Sequence, residues 1–362
     1  MKGIMKKAVF LAAAGMTALA LSGCSAGSGG KRIVRISHAQ SETHPEHLGL
    51  LAFKEYVEER LGDKYEVQIF PNELLGSAQK AIELTQTGAI DFVVAGTANL
   101  ETFASVYEIF SMPYLFTSED AYFAAMNDTD YMNKIYASTE DTGLQVVTWY
   151  NVGTRNFYAK KAINTPDDLK GLKIRIMENE LQLAQWKAYG ANPTPMAFTE
   201  LFTALQQGTV DGQDNGAELT WQSKFQEVQK YYVYTKHIYS PYVILMSGET
   251  FNGLTPEEQD IIMKISDEAV AYERERCSEY EAVALENIKN YPGMNYAELS
   301  PEVVEEMKAA CAGIKDLAYE KVEHPEVIDL LYSEAEKAKE KYPAEQTTDA
   351  PAQTEADAAP AA

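Results

Sequence analysis

Arg155 and Arg175 carry the most pointed chemistry in this sequence. They stand in a block from Asn151 to Asn215 that begins NVGTRNF, passes through INTPDDLKGLKIRIM and closes with NPTPMAFTELFTALQQGTVDGQDN. Both lie on short strand-like segments, Arg155 near Gly153 and Asn156 and Arg175 between Ile174 and Ile176, where a solubilising charge is out of place. A guanidinium presents its donors in a fixed fork that meets a carboxylate two bonds at a time, which a lysine cannot do. The pair therefore reads as carboxylate ligands. The competing reading is two structural arginines, each matched by a nearby Asp or Glu.

Other reactive residues point elsewhere. Lys2, Lys6 and Lys7 precede an apolar run from Ala8 to Leu21 and then Leu21-Ser22-Gly23-Cys24, so residues 1–23 read as a secretory signal rather than a membrane span. The Leu-Ser-Gly-Cys ending resembles a bacterial lipobox, which makes Cys24 the acylated first residue of the exported protein, held stably by more than one acyl chain. Gly23-Cys24-Ser25-Ala26-Gly27 also matches the G-x-S-x-G hydrolase elbow, but that elbow needs a strand before it and a helix after it. Neither surrounds it. His38, His44 and His47 cluster beside Glu42 and Glu46; a metal site would need converging ligands and a second shell, and a ligand-contacting loop after the first strand is preferred. Cys277 and Cys311 fall in expected helices, as buried thiols or as one bridge. No CxxC or HExxH pattern occurs, and no cofactor is expected.

The elements that would position these residues alternate. Strands are expected at 33–37, 65–70, 90–95, 144–150, 173–177 and 243–247, with helices at 46–60, 78–87 and 181–189. Such alternation indicates α/β layers with parallel sheet, in which ligands sit at the carboxyl ends of strands near helix N-termini. Thr255-Pro256-Glu257-Glu258 is a capping box opening a helix that runs to about Asn290, roughly 50 Å at 1.5 Å per residue. Ser300-Pro301-Glu302 opens another, expected to end before His324-Pro325.

Residues 24–31 form a small-residue tether, and 343–362 lack large apolar side chains and read as a disordered tail. The formal charge of −23 becomes −26 once the three signal lysines are removed, which argues against nucleic acid as a partner. It does not bar an anionic ligand, because at a Debye length of about 8 Å the diffuse surface charge is screened and two desolvated arginines dominate a cleft. A chain of this length predicts two domains.

The order GTRNF, PDDLKGLKIR, GANPTPMAFTELFTALQQGTVDGQDN resembles the extracytoplasmic solute-binding subunits of tripartite ATP-independent periplasmic (TRAP) transporters, with weaker likeness from about Ile33 to Tyr342. The resemblance implies a two-lobed periplasmic-binding-protein-like α/β fold, with mainly parallel sheets, a hinge and a long helix bridging both lobes. Lobe I would take 32–152 plus 241–280, and lobe II 153–240 plus 281–342. It also implies that the protein is a monomer and no enzyme, exported and lipid-anchored outside the cell membrane, where it delivers an organic acid to the permease. On the family's pattern Arg175 clamps the ligand carboxylate, Arg155 supports it, Asn215 hydrogen-bonds it, and Phe198 packs beside the ligand or in the core. Gln40, His44, Thr97 and Glu178 occupy loops that set specificity. Sialic-acid-binding members carry acids where this chain has Ala78 and Gly96, and the polar Gln40, His44 and Glu178 favour a hexuronate or related sugar acid over a C4-dicarboxylate. An extracellular enzyme on sugar acids lacks a motif in its support; a sensor using the same fold has the same sequence signature.

Overall fold

The computed structural model describes residues 30–116 and 118–342. The expected signal segment, Cys24, most of the tether and the tail lie outside the described residues. The strands are β1 (Arg32–Ser37), β2 (Tyr65–Phe70), β3 (Phe92–Gly96), β4 (Leu144–Tyr150), β5 (Thr154–Ala159), β6 (Lys173–Ile176), β7 (Asn192–Pro195), β8 (Gly212–Asn215), β9 (Tyr231–Tyr239), β10 (Tyr242–Ser247) and β11 (Asn295–Glu298). They form two sheets, ordered β2-β1-β3-β10-β4 and β11-β9-β5-β8-β6-β7.

Each sheet has a parallel part: β1 with β2 and β3, and β6 with β7 and β8. β9 is also parallel to β11, but otherwise the strands joined by the links between the sheets run antiparallel to their neighbours. β10 opposes β3 and β4, and β5 opposes β8 and β9. The physical reason is the direction of crossing. β4 leads out of the first sheet to β5 through residues 151–153 and β9 leads back to β10 through Ser240 and Pro241, so the chain crosses once in each direction and the paired strands run opposite ways. The two links lie side by side, since Thr154 pairs with Tyr239 and Tyr242 with Tyr150.

Helix Pro45–Leu61 shows why the first layer holds. Leu50, Phe53, Val57 and Leu61 recur at helical spacing, are buried, and pack on Val34, Ile36, Phe92 and Val94 of the sheet. Burying each such side chain contributes about 1.5–3 kcal/mol. In the second layer Phe157 of β5 meets Trp186 of helix Glu180–Ala188 at 4.8 Å between ring centroids.

The long helix, Pro256–Lys289, has 34 residues. Its start is the expected capping box: Thr255 Oγ1 accepts from the Glu258 amide at 3.2 Å and Glu258 Oε2 from the Thr255 amide at 2.8 Å. It packs on helix Pro45–Leu61 and β4 of the first layer and on helix Ala217–Gln222 and β11 of the second, so it bridges both. The helix expected to continue from Ser300 to His324 is instead two, Pro301–Ala310 and Ile314–Lys321. The small residues Ala312 and Gly313 interrupt it, and the Cys311 carbonyl accepts the Ile314 amide at 2.9 Å. Helix Glu326–Lys341 then packs on helices Glu119–Met126 and Thr129–Ala137. Cys277 and Cys311 are both buried free thiols. No described helix is long and apolar enough to cross a membrane.

Candidate functional site

Strand ends from the two sheets face each other across a cavity of about 60 Å³, several times the 10–15 Å³ that one water needs. That is room for a small organic molecule. One wall comes from the first sheet: Ala39 and Gln40 after β1, Glu73 after β2, the β3 end from Val94 to Gly96, and Tyr242, which pairs with Gly96. The other wall is built by Arg175 on β6 with Met177 and Glu178 beyond it, Met196 to Phe198 after β7, and Asn215 closing β8. These are the carboxyl ends of parallel strands, the position at which α/β sheets hold ligands. Ser77 and Ala197, the N-cap residues of helices Ala78–Gln86 and Phe198–Gln207, also line the cavity, so two helix N-termini open toward it.

Arg175 is 3% exposed. Its Nε donates to the Met196 carbonyl at 3.0 Å, and among the described residues its two terminal nitrogens have no hydrogen-bond or carboxylate partner. Burial, with Arg155 close by, lowers its pKa to about 10, so it remains charged at neutral pH. A buried cation without a counter-ion is costly. An anion entering the cavity would relieve that cost.

Arg155 has a different place. It is buried, it does not line the cavity, and its Nε donates to Asp214 Oδ2 at 2.5 Å while a terminal nitrogen donates to the Asp214 carbonyl. His237 Nε2 lies 3.2 Å from the same Oδ2. Burial acts to raise the Asp214 pKa, but Arg155 and His237 outweigh it and hold the carboxylate far below its ordinary range. Arg155 is thus paired inside the second layer and does not line the cavity, which departs from the reading of both arginines as ligands by residue type; the resemblance had given it a supporting place.

Of the other expected site residues, Asn215, Phe198, Gln40 and Glu178 line the cavity. Phe198 also packs edge-on against Phe225 at 6.0 Å, so it serves core and cleft together. His44 and Thr97 do not line it. His44 is buried as the N-cap of helix Pro45–Leu61, its Nδ1 accepting from the Glu46 amide at 3.1 Å and its Nε2 lying 2.6 Å from Glu218 Oε2. Both ring nitrogens are spent on the fold, in a contact joining the first layer to helix Ala217–Gln222. Thr97 is buried with its hydroxyl 3.1 Å from that of Ser240, at one of the crossing links. His38 Nε2 and His47 Nδ1 pair at 2.9 Å, and no described cluster of His, Cys, Asp or Glu has the arrangement of a metal site.

Sequence reasoning missed Glu73 and Tyr242. Tyr242 begins β10 beside the Ser240-Pro241 link, a recognisable chain-crossing signal, but nothing in the sequence marks Glu73. Gly96 explains one departure noted above: a Cβ there would stand 2.9 Å from the Tyr242 ring, so a side chain at 96 and Tyr242 in this pose exclude each other.

The chain is similar to known proteins in both sequence and fold. The family described as "Bacterial extracellular solute-binding protein, family 7" matches residues 36–321. The 2,3-diketo-L-gulonate-binding periplasmic protein YiaO of Escherichia coli is 32% identical over 277 residues, 76% of this chain and 83% of that one. A TRAP periplasmic solute-binding protein from Anaerococcus prevotii, solved with bound D-glucuronate, is 37% identical with a TM-score of 0.82, covering 87% of this chain and all of its own. One from Shewanella oneidensis with bound succinate is 25% identical with a TM-score of 0.81, covering 84% and 100%.

Proposed function

The chain belongs to family 7 of the bacterial extracellular solute-binding proteins, the solute-binding subunits of TRAP transporters, and from that premise we propose that it captures a sugar acid, a hexuronate or a close relative. The observation that carries the proposal is the buried Arg175, charged and without an acidic partner, at the meeting of two sheets. The ligand carboxylate takes the free fork of Arg175, Asn215 adds a hydrogen bond, and Phe198 flanks the carbon skeleton. Gln40 and Glu178 bind hydroxyls. Bound glucuronate in the Anaerococcus prevotii protein and the diketogulonate named for YiaO support a hydroxylated acid.

Lobe I takes 32–152 plus 241–280 and lobe II takes 153–240 plus 281–342, and they close on the ligand by bending at the paired links 151–153 and 240–241. The loaded protein, a monomer tethered through acylated Cys24 outside the cell membrane, delivers its ligand to the permease without turning it over. A second reading, C4-dicarboxylate capture, is favoured by the likeness to the succinate-bound Shewanella oneidensis protein.

Thermal unfolding of purified protein, refolded to strip carried-over ligand, tests this against uronates, aldonates, sialic acid, C4-dicarboxylates and matched neutral sugars. A ligand at 100 times its Kd adds about 2.7 kcal/mol, a shift of several degrees. The reading predicts a shift with a sugar acid and none with its neutral sugar. Silence from every carboxylate, with a shift from a neutral or cationic compound, would make Arg175 structural.

A further inference from the structure

The charged side chains lining the cavity are Arg175, Glu73 and Glu178, one cation against two acids. Glu178 is exposed at the rim, whereas Glu73 is half-buried on the wall opposite Arg175. It is near enough to bear on the charge of Arg175 and on the Tyr242 hydroxyl, yet among the described residues it forms no ion pair. The two charges therefore stand apart, with the cavity between them.

The backbone under Glu73 is unusual. Asn72 and Glu73 have φ of 55° and 53°, in the left-handed region, which asparagine tolerates and glutamate rarely adopts. The conformation is held from three sides: the Asn72 amide donates to the Gln40 carbonyl at 2.9 Å, the Glu73 amide to the His38 carbonyl at 3.1 Å, and the Gly76 amide to the Glu73 carbonyl at 2.9 Å. The loop after β2 is thus hooked onto the loop after β1, and Glu73 and Gln40 are fixed on one wall. Glycine or asparagine would suit this backbone better, so the strained backbone at 73 points to a role for the glutamate side chain.

We infer that Glu73 is the specificity-determining residue of the cleft, accepting hydrogen bonds from ligand hydroxyls and repelling a second carboxylate. The inference rests on the proposed capture of an acid by Arg175. With one carboxylate of a ligand on Arg175, the far end of a small molecule meets Glu73. A carboxylate oxygen accepts hydrogen bonds and donates none, so hydroxyls satisfy it. A second ligand carboxylate would bring like charges together in a confined, poorly hydrated space.

Calorimetric titration of wild-type protein and Glu73→Gln with D-glucuronate, D-galacturonate, galactonate and succinate tests this. The wild type is expected to prefer a hydroxylated monocarboxylate, and Glu73→Gln to move the ratio of affinities toward succinate by at least about tenfold. A second variant, Glu73→Asn, is expected to lose sugar-acid affinity while its ligand-free unfolding midpoint stays level or rises, because asparagine fits the backbone. A ratio that changes less than about threefold in Glu73→Gln, while wild type binds a sugar acid tightly, would overturn the role of Glu73 and leave Arg175 untouched. Wild type binding none of the four acids would overturn the carboxylate reading and this inference with it.

Discussion

At the residue scale, two arginines that look alike in sequence do opposite work. Arg155 is matched by Asp214 and supports the second layer, whereas Arg175 faces the cavity with no ion pair among the described residues. Their types and strand context were legible from the chain, and so was the choice between carboxylate ligand and internal ion pair. Residue types alone did not divide the roles, which came only from the family resemblance, because Asp214 lies 59 residues from Arg155 and meets it only through β5–β8 pairing. The difference is measurable in ligand-free protein. Arg155→Ala strands a buried carboxylate and is expected to cost about 3–5 kcal/mol of stability by denaturant unfolding. Arg175→Ala removes an uncompensated buried cation, so its ligand-free stability is expected to match or exceed wild type. Equal losses in the two variants would show that Arg175 has a hidden partner.

At the element scale, legibility followed strength of pattern. The long helix announced itself through its capping box and sustained periodicity. Helix Pro45–Leu61 was found within one residue at each end, but its N-cap, His44, was taken for a ligand contact. A histidine cap that also reaches Glu218 leaves no local signature. The second sheet was read only in part. β7 and β8 have four residues each, and β8 is Gly-Gln-Asp-Asn, wholly buried yet without an apolar side chain. No hydrophobic periodicity exists there to detect. Of the crossing strands, β4, β5 and β10 were legible as strands and β9 was not, and none was legible as antiparallel, since direction depends on which sheet each strand joins. The cavity, assembled from the ends of many short elements, was visible only through its arginine and asparagine.

At the scale of the whole molecule, the buried acids set a pH dependence opposite to common acid denaturation. Burial raises Glu101 to about 8 and Glu281 to about 7 from an ordinary 4.5, and it raises Glu273 as well. Each holds its proton in the folded chain after the unfolded chain has released it, so its contribution is full at low pH and is lost as pH rises toward the folded value. His47 and His237, lowered by burial, oppose this trend, but only below 6.5. Asp214 and Glu258, lowered from ordinary carboxylate values, lose their contribution only in acid. The unfolding midpoint of ligand-free protein is therefore expected to fall between about pH 6.5 and pH 8. A midpoint that rises across that window would show that these acids are ionised in the folded chain.

In the proposed function the guanidinium of Arg175, which has no ion pair among the described residues, holds the ligand carboxylate. The measurement that tests it most directly is calorimetric titration of wild-type protein and Arg175→Ala with whichever acid gives the largest thermal shift. Truncating one member of a desolvated charge pair costs about 2–5 kcal/mol, so the expected loss of affinity is at least about 30-fold. A loss of less than about threefold, in a variant as stable as wild type, would contradict it.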